Sequence, residues 1–317
     1  MRYSAAPGGS IMDVLPNLRR CLRAGGLGLL GALALHAPPF DIAQRLELAL
    51  FDLWSRAGPP PPEELLLVHV DSPAELASLA ELATAASAKL LVTTLAQTPP
   101  EPPADVVGPL DVPVGAALRR TDWPRGGHLS FEPDIDGRIR YDLPVLRAEA
   151  MTPSLGAYVA ERVAGTAAVN GEPAAERRWL RFFDRKSFAA IALRDARTRS
   201  DLLHGRVLVA GPAVPAYRTS LGLLSAPELL AQVVAGYVEQ RQIAGGTLGA
   251  ALAWTAAALL IALACLRPPG TRRALGFAAG AAALGLVATA GVLFTMLDFW
   301  LPVAGPAAWL AFAATAF

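Results

Sequence analysis

The chain has 317 residues, 53% hydrophobic and only 17% charged, with a mean hydropathy of +0.39 and a formal charge of +1. Soluble domains carry about 25% charged residues, so this balance calls for membrane segments or a very large buried core. A charge near zero, with no basic stripe and no aromatic residues interleaved with Lys or Arg, gives no case for nucleic acid as a partner.

The apolar residues gather at the two ends. Residues 1–21 form a polar N-terminus, and 22–40 form a first hydrophobic segment flanked by Arg19, Arg20 and Arg23. Its strictly apolar part is short of the roughly 20 residues that a span needs. Two readings stand: an uncleaved anchor, or a signal peptide with a small-residue site near Ala32–Ala34. The anchor is preferred because the chain runs directly into a helical pattern, Ile42, Leu46, Leu50, then Leu53 and Trp54.

Three further segments follow the middle region 41–244. They are 245–266, 274–297 and 301–317, separated by the turns 267–273 (RPPGTRR) and 298–300. Arginines flank the first segment and fill the 267–273 turn, whereas Asp298-Phe299-Trp300 carries no positive charge. The positive-inside rule then predicts cytoplasmic arginine clusters, four helical spans, and region 41–244 outside the membrane. The expected location is a bacterial inner membrane, with a multi-pass protein in the bilayer and a large periplasmic domain. The two cysteines, Cys21 and Cys265, lie in or beside hydrophobic segments, so the middle region does not depend on disulfides.

Within the middle region, LLLVHV (Leu65–Val70) reads as a buried strand. Ser72–Ala88 reads as a helix with Ser72 as N-cap, Pro73 in the first turn and Glu75 at the third position. Lys89–Leu95 is a second strand, completing a β-α-β unit. Gln97–Pro109 is too proline-rich for either element. His128–Glu132 and Arg138–Leu146 flank PDIDG, which predicts a hairpin with Asp136-Gly137 at its turn. A helix from Pro153 to Ala164, strands at Trp179–Phe183 and Arg206–Gly211, and a helix at Ala226–Gln240 complete the pattern. The predicted class is α/β, a mixed, mainly parallel sheet with flanking helices, plus the α-helical transmembrane segments.

Few motifs carry chemistry. Glu132, Asp134 and Asp136, with Gly137 at the sixth place, are spaced as in the first half of a calcium loop, but Leu143 stands at the twelfth place where the bidentate Glu belongs and Arg138 and Arg140 bring positive charge, so a plain turn is expected. His36, His69, His128 and His204 are isolated, and there is no phosphate-binding loop, nucleophile elbow or Cys/His set. No metal, cofactor or catalytic residue is expected, and the chain is not read as an enzyme. Asp71, Thr94 and Gly211 close predicted strands at their carboxyl ends, where open α/β sheets bind ligands. They are the candidate ligand-binding residues for an unknown small ligand; the alternative is that strand ends need polar turns.

Taken together, FDLWSRAGPPPPEELLLVHVD, DIDGRIRYDLPVL, TPSLGAYVAERVAG, LLHGRVLVAG and APELLAQVVAGYVEQRQI resemble the CHASE2 family of extracytoplasmic sensor domains over about Arg45–Ile243. The resemblance implies a periplasmic sensor with one helix before it and three after, relaying to a cytoplasmic cyclase, kinase or separate subunit not included in this sequence. Expected partners are a second copy (a homodimer) or another membrane or periplasmic protein. The rival is a structural or interaction subunit of a membrane assembly. Stripes at Leu46, Leu50, Leu53 and at Leu229, Val233, Tyr237 would either pair the two terminal helices into a stalk or cover the sheet. Gly245 and Gly246 are the expected hinge, since each glycine weakens a helix by roughly 1 kcal/mol relative to alanine.

Overall fold

The computed structural model describes residues 26, 29–30, 42–101, 106–114, 117–147, 151–165, 178–243, 246–265 and 272–316. Contacts divide the chain into two compact units, Phe51–Ile243 on one side and Met1–Leu50 with Ala244–Phe317 on the other. Helix α1 (Ile42–Ser55) contributes residues to both.

The Phe51–Ile243 unit continues with β1 (Leu65–His69), α2 (Pro73–Ala85), β2 (Leu90–Thr93), β3 (Val106–Val114), β4 (Ala117–Arg120) and β5 (Gly126–His128). Short strands β6 (Tyr141–Asp142), β7 (Val145–Arg147) and β8 (Met151–Pro153) precede α3 (Leu155–Ala164). After β9 (Arg178–Leu180) come β10 (Ala189–Ala192), α4 (Leu193–Thr198) and β11 (Val207–Gly211). The hairpin β12 (Pro215–Thr219) and β13 (Gly222–Ser225), helix α5 (Ala226–Val238) and β14 (Gln242–Ile243) close the unit.

The central sheet runs β10-β1-β11-β2-β3-β4, with β5 also on β3. Every pair is parallel except β3 with β4. The expected mixed, mainly parallel sheet is present. Its central strands are apolar on both faces because helices cover both. Leu66 and Val68 face Leu76, Leu79 and Ala196 of α2 and α4, while Leu65 and Leu67 face Leu155, Val159, Leu230 and Val234 of α3 and α5. Residues alternate sides along each strand, so one LLLV run serves two cores.

Several expectations change. The β-α-β unit keeps its expected parallel strands, with β11 lying between β1 and β2, whereas other readings are revised. Val106–Pro109 begins strand β3 rather than belonging to a loop. The PDIDG turn forms, with the Gly137 amide donating to Asp134 O and φ at +78°. Its flanks do not pair with each other, however: β5 joins the central sheet, and β6 pairs with β9. Leu46 and Leu53 are exposed, while Ala43, Leu48 and Phe51 hold the buried face of α1. Leu229, Val233 and Tyr237 sit in a core cluster with Phe182 and Leu180. The stalk reading fails on this side, because α5 stops at Val238, Gln240 turns at φ +53°, and Gln242–Ile243 pair antiparallel with Trp179–Leu180. Gly245 lies outside the described residues, and Gly246 is the first residue of the next helix.

The second unit holds α6 (Gly246–Cys265), α7 (Arg272–Leu297) and α8 (Ala304–Ala316). Small residues let these helices approach closely: Ala257 and Ile261 of α6 pack with Leu310 and Ala313 of α8. Among the described residues, one helix is long and apolar enough to cross a membrane, over Phe277–Leu297, with mean hydropathy 2.0. Phe277, Leu284 and Met296 are exposed along it. The other apolar stretches, Gly249–Ile261 and Ala304–Ala313, are shorter. At 1.5 Å per residue, the 13 residues of α8 reach only about 20 Å of a roughly 30 Å hydrocarbon core. Three C-terminal spans are therefore not shown. The first expected span, 22–40, lies outside the described residues apart from Gly26, Leu29 and Leu30.

Glu47 of α1 accepts a hydrogen bond from the Ala304 amide at the start of α8. Burial pushes its carboxyl up to about 7, against the lowering effect of the Ala304 and Val303 amides. A folded pKa above the unfolded one gives stability that is complete at acid pH and lost as pH rises through about 7. Glu47→Gln is expected to melt several degrees above the parent at pH 8, with the difference vanishing near pH 4.5. Thermal melts of the detergent-solubilised chain across pH check this.

Candidate functional site

The strands place two of the three sequence candidates together. Thr94 follows β2 and donates its amide to Ala210 O at 2.9 Å, and a Cβ built on Gly211 would lie 2.1 Å from the Thr94 hydroxyl. Gly211 is thus required by the close approach of Thr94. Its carbonyl accepts the Val70 amide at 3.1 Å, joining β11 to the end of β1. Asp71 stands on that neighbouring strand end and is exposed; its amide donates to Glu75 Oε2 at 2.7 Å, within the cap of α2. Every polar contact here serves turn, cap or sheet.

A denser polar site lies where the PDIDG turn meets α1. Arg140 is fully buried. Its Nε and Nη2 donate to the two Asp52 oxygens at 2.9 and 2.8 Å. Nη1 and Nη2 donate to Asp136 at 2.7 and 2.6 Å, and Nη1 also reaches Asp134 at 3.3 Å. All five guanidinium protons therefore point at three carboxylates, the fork geometry that Arg alone offers. Arg138 adds an ion pair to Asp52 and lies 3.7 Å from Asp136.

Electrostatics follow from this packing. Burial by itself would lower the Arg140 pKa, but the hydrogen bonds and charges of Asp136 and Asp52 outweigh it and hold the guanidinium above its ordinary value. The hydrogen bond from Arg140 holds the Asp136 carboxyl below the usual carboxylate range. The acidic spacing that suggested half a calcium loop is turned onto arginine, and among the described residues no group of three His, Cys, Asp or Glu is arranged to hold a metal. Asp52 was invisible from the motif, since it lies 88 residues before Arg140.

A second buried centre adjoins it on β6. Asp142 accepts hydrogen bonds from Ser154 Oγ at 2.6 Å and Tyr237 OH at 2.9 Å. Ser154 also caps α3 by accepting from the Ala157 amide at 3.1 Å. His128 is buried beside them, and neither ring nitrogen has a hydrogen-bond partner among the described residues. Desolvation raises the Asp142 pKa and lowers that of His128. Although a Ser, a His and an Asp meet here, the serine gives its proton to the carboxylate, and all three are closed from solvent. The arrangement ties β6, α3 and α5 together rather than presenting a nucleophile.

Because the folded Asp142 pKa is raised, its stability contribution is full at acid pH and lost as pH climbs through the folded value. Asp142→Asn, which keeps an oxygen for Ser154 and Tyr237, is expected to raise Tm above neutral pH. A melt showing a lower Tm at every pH would refute that balance.

No protein-family model, curated protein or solved structure matches the chain.

Proposed function

We propose that this chain is a transmembrane signal-sensing or regulatory protein of the bacterial inner membrane, with a CHASE2-like α/β domain on the periplasmic side. It acts as a relay rather than an enzyme. Four spans, 22–40, 245–266, 274–297 and 301–317, carry the state of the domain to a cytoplasmic cyclase, kinase or separate subunit. The observation that carries this reading is the Arg140–Asp52 clamp, because it fastens the helix following the first hydrophobic segment to the interior of the α/β unit. A rigid clamp passes on a small displacement that a flexible linker would absorb. At the far end, the pairing of β14 with β9 supports a strand, rather than a continuous helix, as the route toward Gly245 and Gly246.

Topology is the first test. Alkaline phosphatase fused at Gly108 should be active and at Gly270 inactive; the reverse pattern ends the proposal. Coupling is the second. In a strain reporting the output, Gly245→Ala with Gly246→Ala should change the response without reducing membrane insertion, and wild-type behaviour would remove the hinge. The interaction-subunit reading draws on Ile135, Val214 and Leu223, large apolar side chains left exposed on the same unit.

A further inference from the structure

A cavity of about 320 Å³ opens at the amino end of β2, away from the strand ends that hold Asp71, Thr94 and Gly211. Its floor is apolar and buried, with Ala83 from α2, Leu91 from β2 and Val106 from β3. Its rim is polar and comes from separate elements: Ser87 after α2, Lys89 before β2, and Arg162 in the last turn of α3. The volume sits at the small end of the roughly 300–1,000 Å³ range of ligand pockets, which suits a small molecule rather than a peptide.

Three features of the rim point the same way. Arg162 lies 5.4 Å over the Tyr158 ring and meets no carboxylate among the described residues, so its planar fork is held but not neutralised. Lys89 meets Glu64 at 3.3 Å, both largely in solvent, a pairing weak enough to yield to a ligand. Ser87 has φ +54° as the residue that ends α2 in a Schellman turn, its amide donating to Thr84 O and that of Ala88 to Ala83 O, and its hydroxyl makes no hydrogen bond among the described residues. The helix end places the Ser87 hydroxyl beside two cations and above an apolar floor, three groups that a carboxylate with an apolar tail can use together.

We propose that this cavity binds a small carboxylate with a short aliphatic tail. The carboxylate lies between Arg162 and Lys89, accepts from the Ser87 hydroxyl, and directs its tail onto Ala83, Leu91 and Val106. This deepens the sensor reading by naming a ligand class. The binding itself is measured on the purified chain, so its failure is separate from a failure of the topology fusions.

Isothermal titration of the full chain in detergent uses acetate, butanoate, hexanoate, inorganic phosphate and butylammonium as probes. Affinity should rise from acetate to hexanoate, and butylammonium should not bind. Arg162→Gln should weaken hexanoate binding at least tenfold with Tm unchanged. Ser87→Gly should weaken it several-fold while raising Tm, because glycine relieves the left-handed strain; a purely structural serine would change Tm alone. Absence of carboxylate binding, phosphate binding as tight as hexanoate, or affinity indifferent to Arg162→Gln would each overturn the proposal.

Discussion

Arg140→Met should destabilise the α/β unit by about 3–5 kcal/mol, the scale for removing one partner of a buried ion pair. Methionine matches much of the arginine volume, so packing changes little. What changes is charge: Asp52 and Asp136 lose the donors at 2.6–2.9 Å that Arg140 gives them, in a site where Asp52 is only 3% exposed. Arg138 retains one contact to Asp52 and softens the loss. Asp52→Leu alone should cost less, since Arg140 keeps Asp136 and Asp134. The double variant, Arg140→Met with Asp52→Leu, should be more stable than Arg140→Met, because it removes the stranded carboxylate. Thermal melts of the full chain followed by tryptophan fluorescence measure all three. A double variant less stable than either single one would mean that packing, not charge, dominates the site. The clamp should also loosen in strong acid, because Asp136, with its depressed pKa, contributes stability that is lost as pH falls through its folded value.

Gly126→Ala is expected to be about as damaging, on the order of 4 kcal/mol, from backbone strain and overpacking together. Gly126 has φ +149°, and a Cβ there would lie 1.7 Å from Gly108 O, an atom fixed in the β3–β5 pairing. No side chain can move aside to relieve this, because the obstacle is backbone. Gly108 is equally confined: its own Cβ would lie 2.1 Å from the Trp123 ring, whose Nε1 is held by Leu95 O at 2.9 Å. Gly137→Ala supplies the contrast. That glycine has φ +78° but open space around it, so only the left-handed strain of about 1–2 kcal/mol applies. If both alanine variants lost equal stability, the close β3–β5 approach would not be what demands glycine at 126.

Local chemistry was legible wherever neighbouring residues decide it. Ser72 and Glu75 announce the start of α2, and the cap forms as the spacing requires, with the Glu75 amide donating to Ser72 Oγ at 3.3 Å. The LLLVHV and RVLVAG runs are apolar without alternation because both faces of their strands are covered, which marked them as buried strands, and the alternation of strands with helices indicated a mainly parallel sheet. Asp136-Gly137 specified a turn, and the clean apolar run at 274–297 specified a long helix, of which Phe277–Leu297 is long and apolar enough to cross a membrane.

What only the tertiary structure decided is which distant elements meet. Nothing local tells β11 to insert between β1 and β2, or sends β5 and β6, the flanks of one turn, into different sheets, because strand pairing is settled by the whole set of apolar faces competing for cover. The same holds for the α1 stripe: Leu46, Leu50 and Leu53 have the correct helical spacing, yet Leu48 and Phe51 are turned inward while Asp52 on that face reaches Arg140. A lone aspartate among apolar residues looks like solvent-facing punctuation in a sequence. Only a partner 88 residues away makes it a buried half of an ionic clamp, since the charge can leave water only where the fold brings that arginine to meet it.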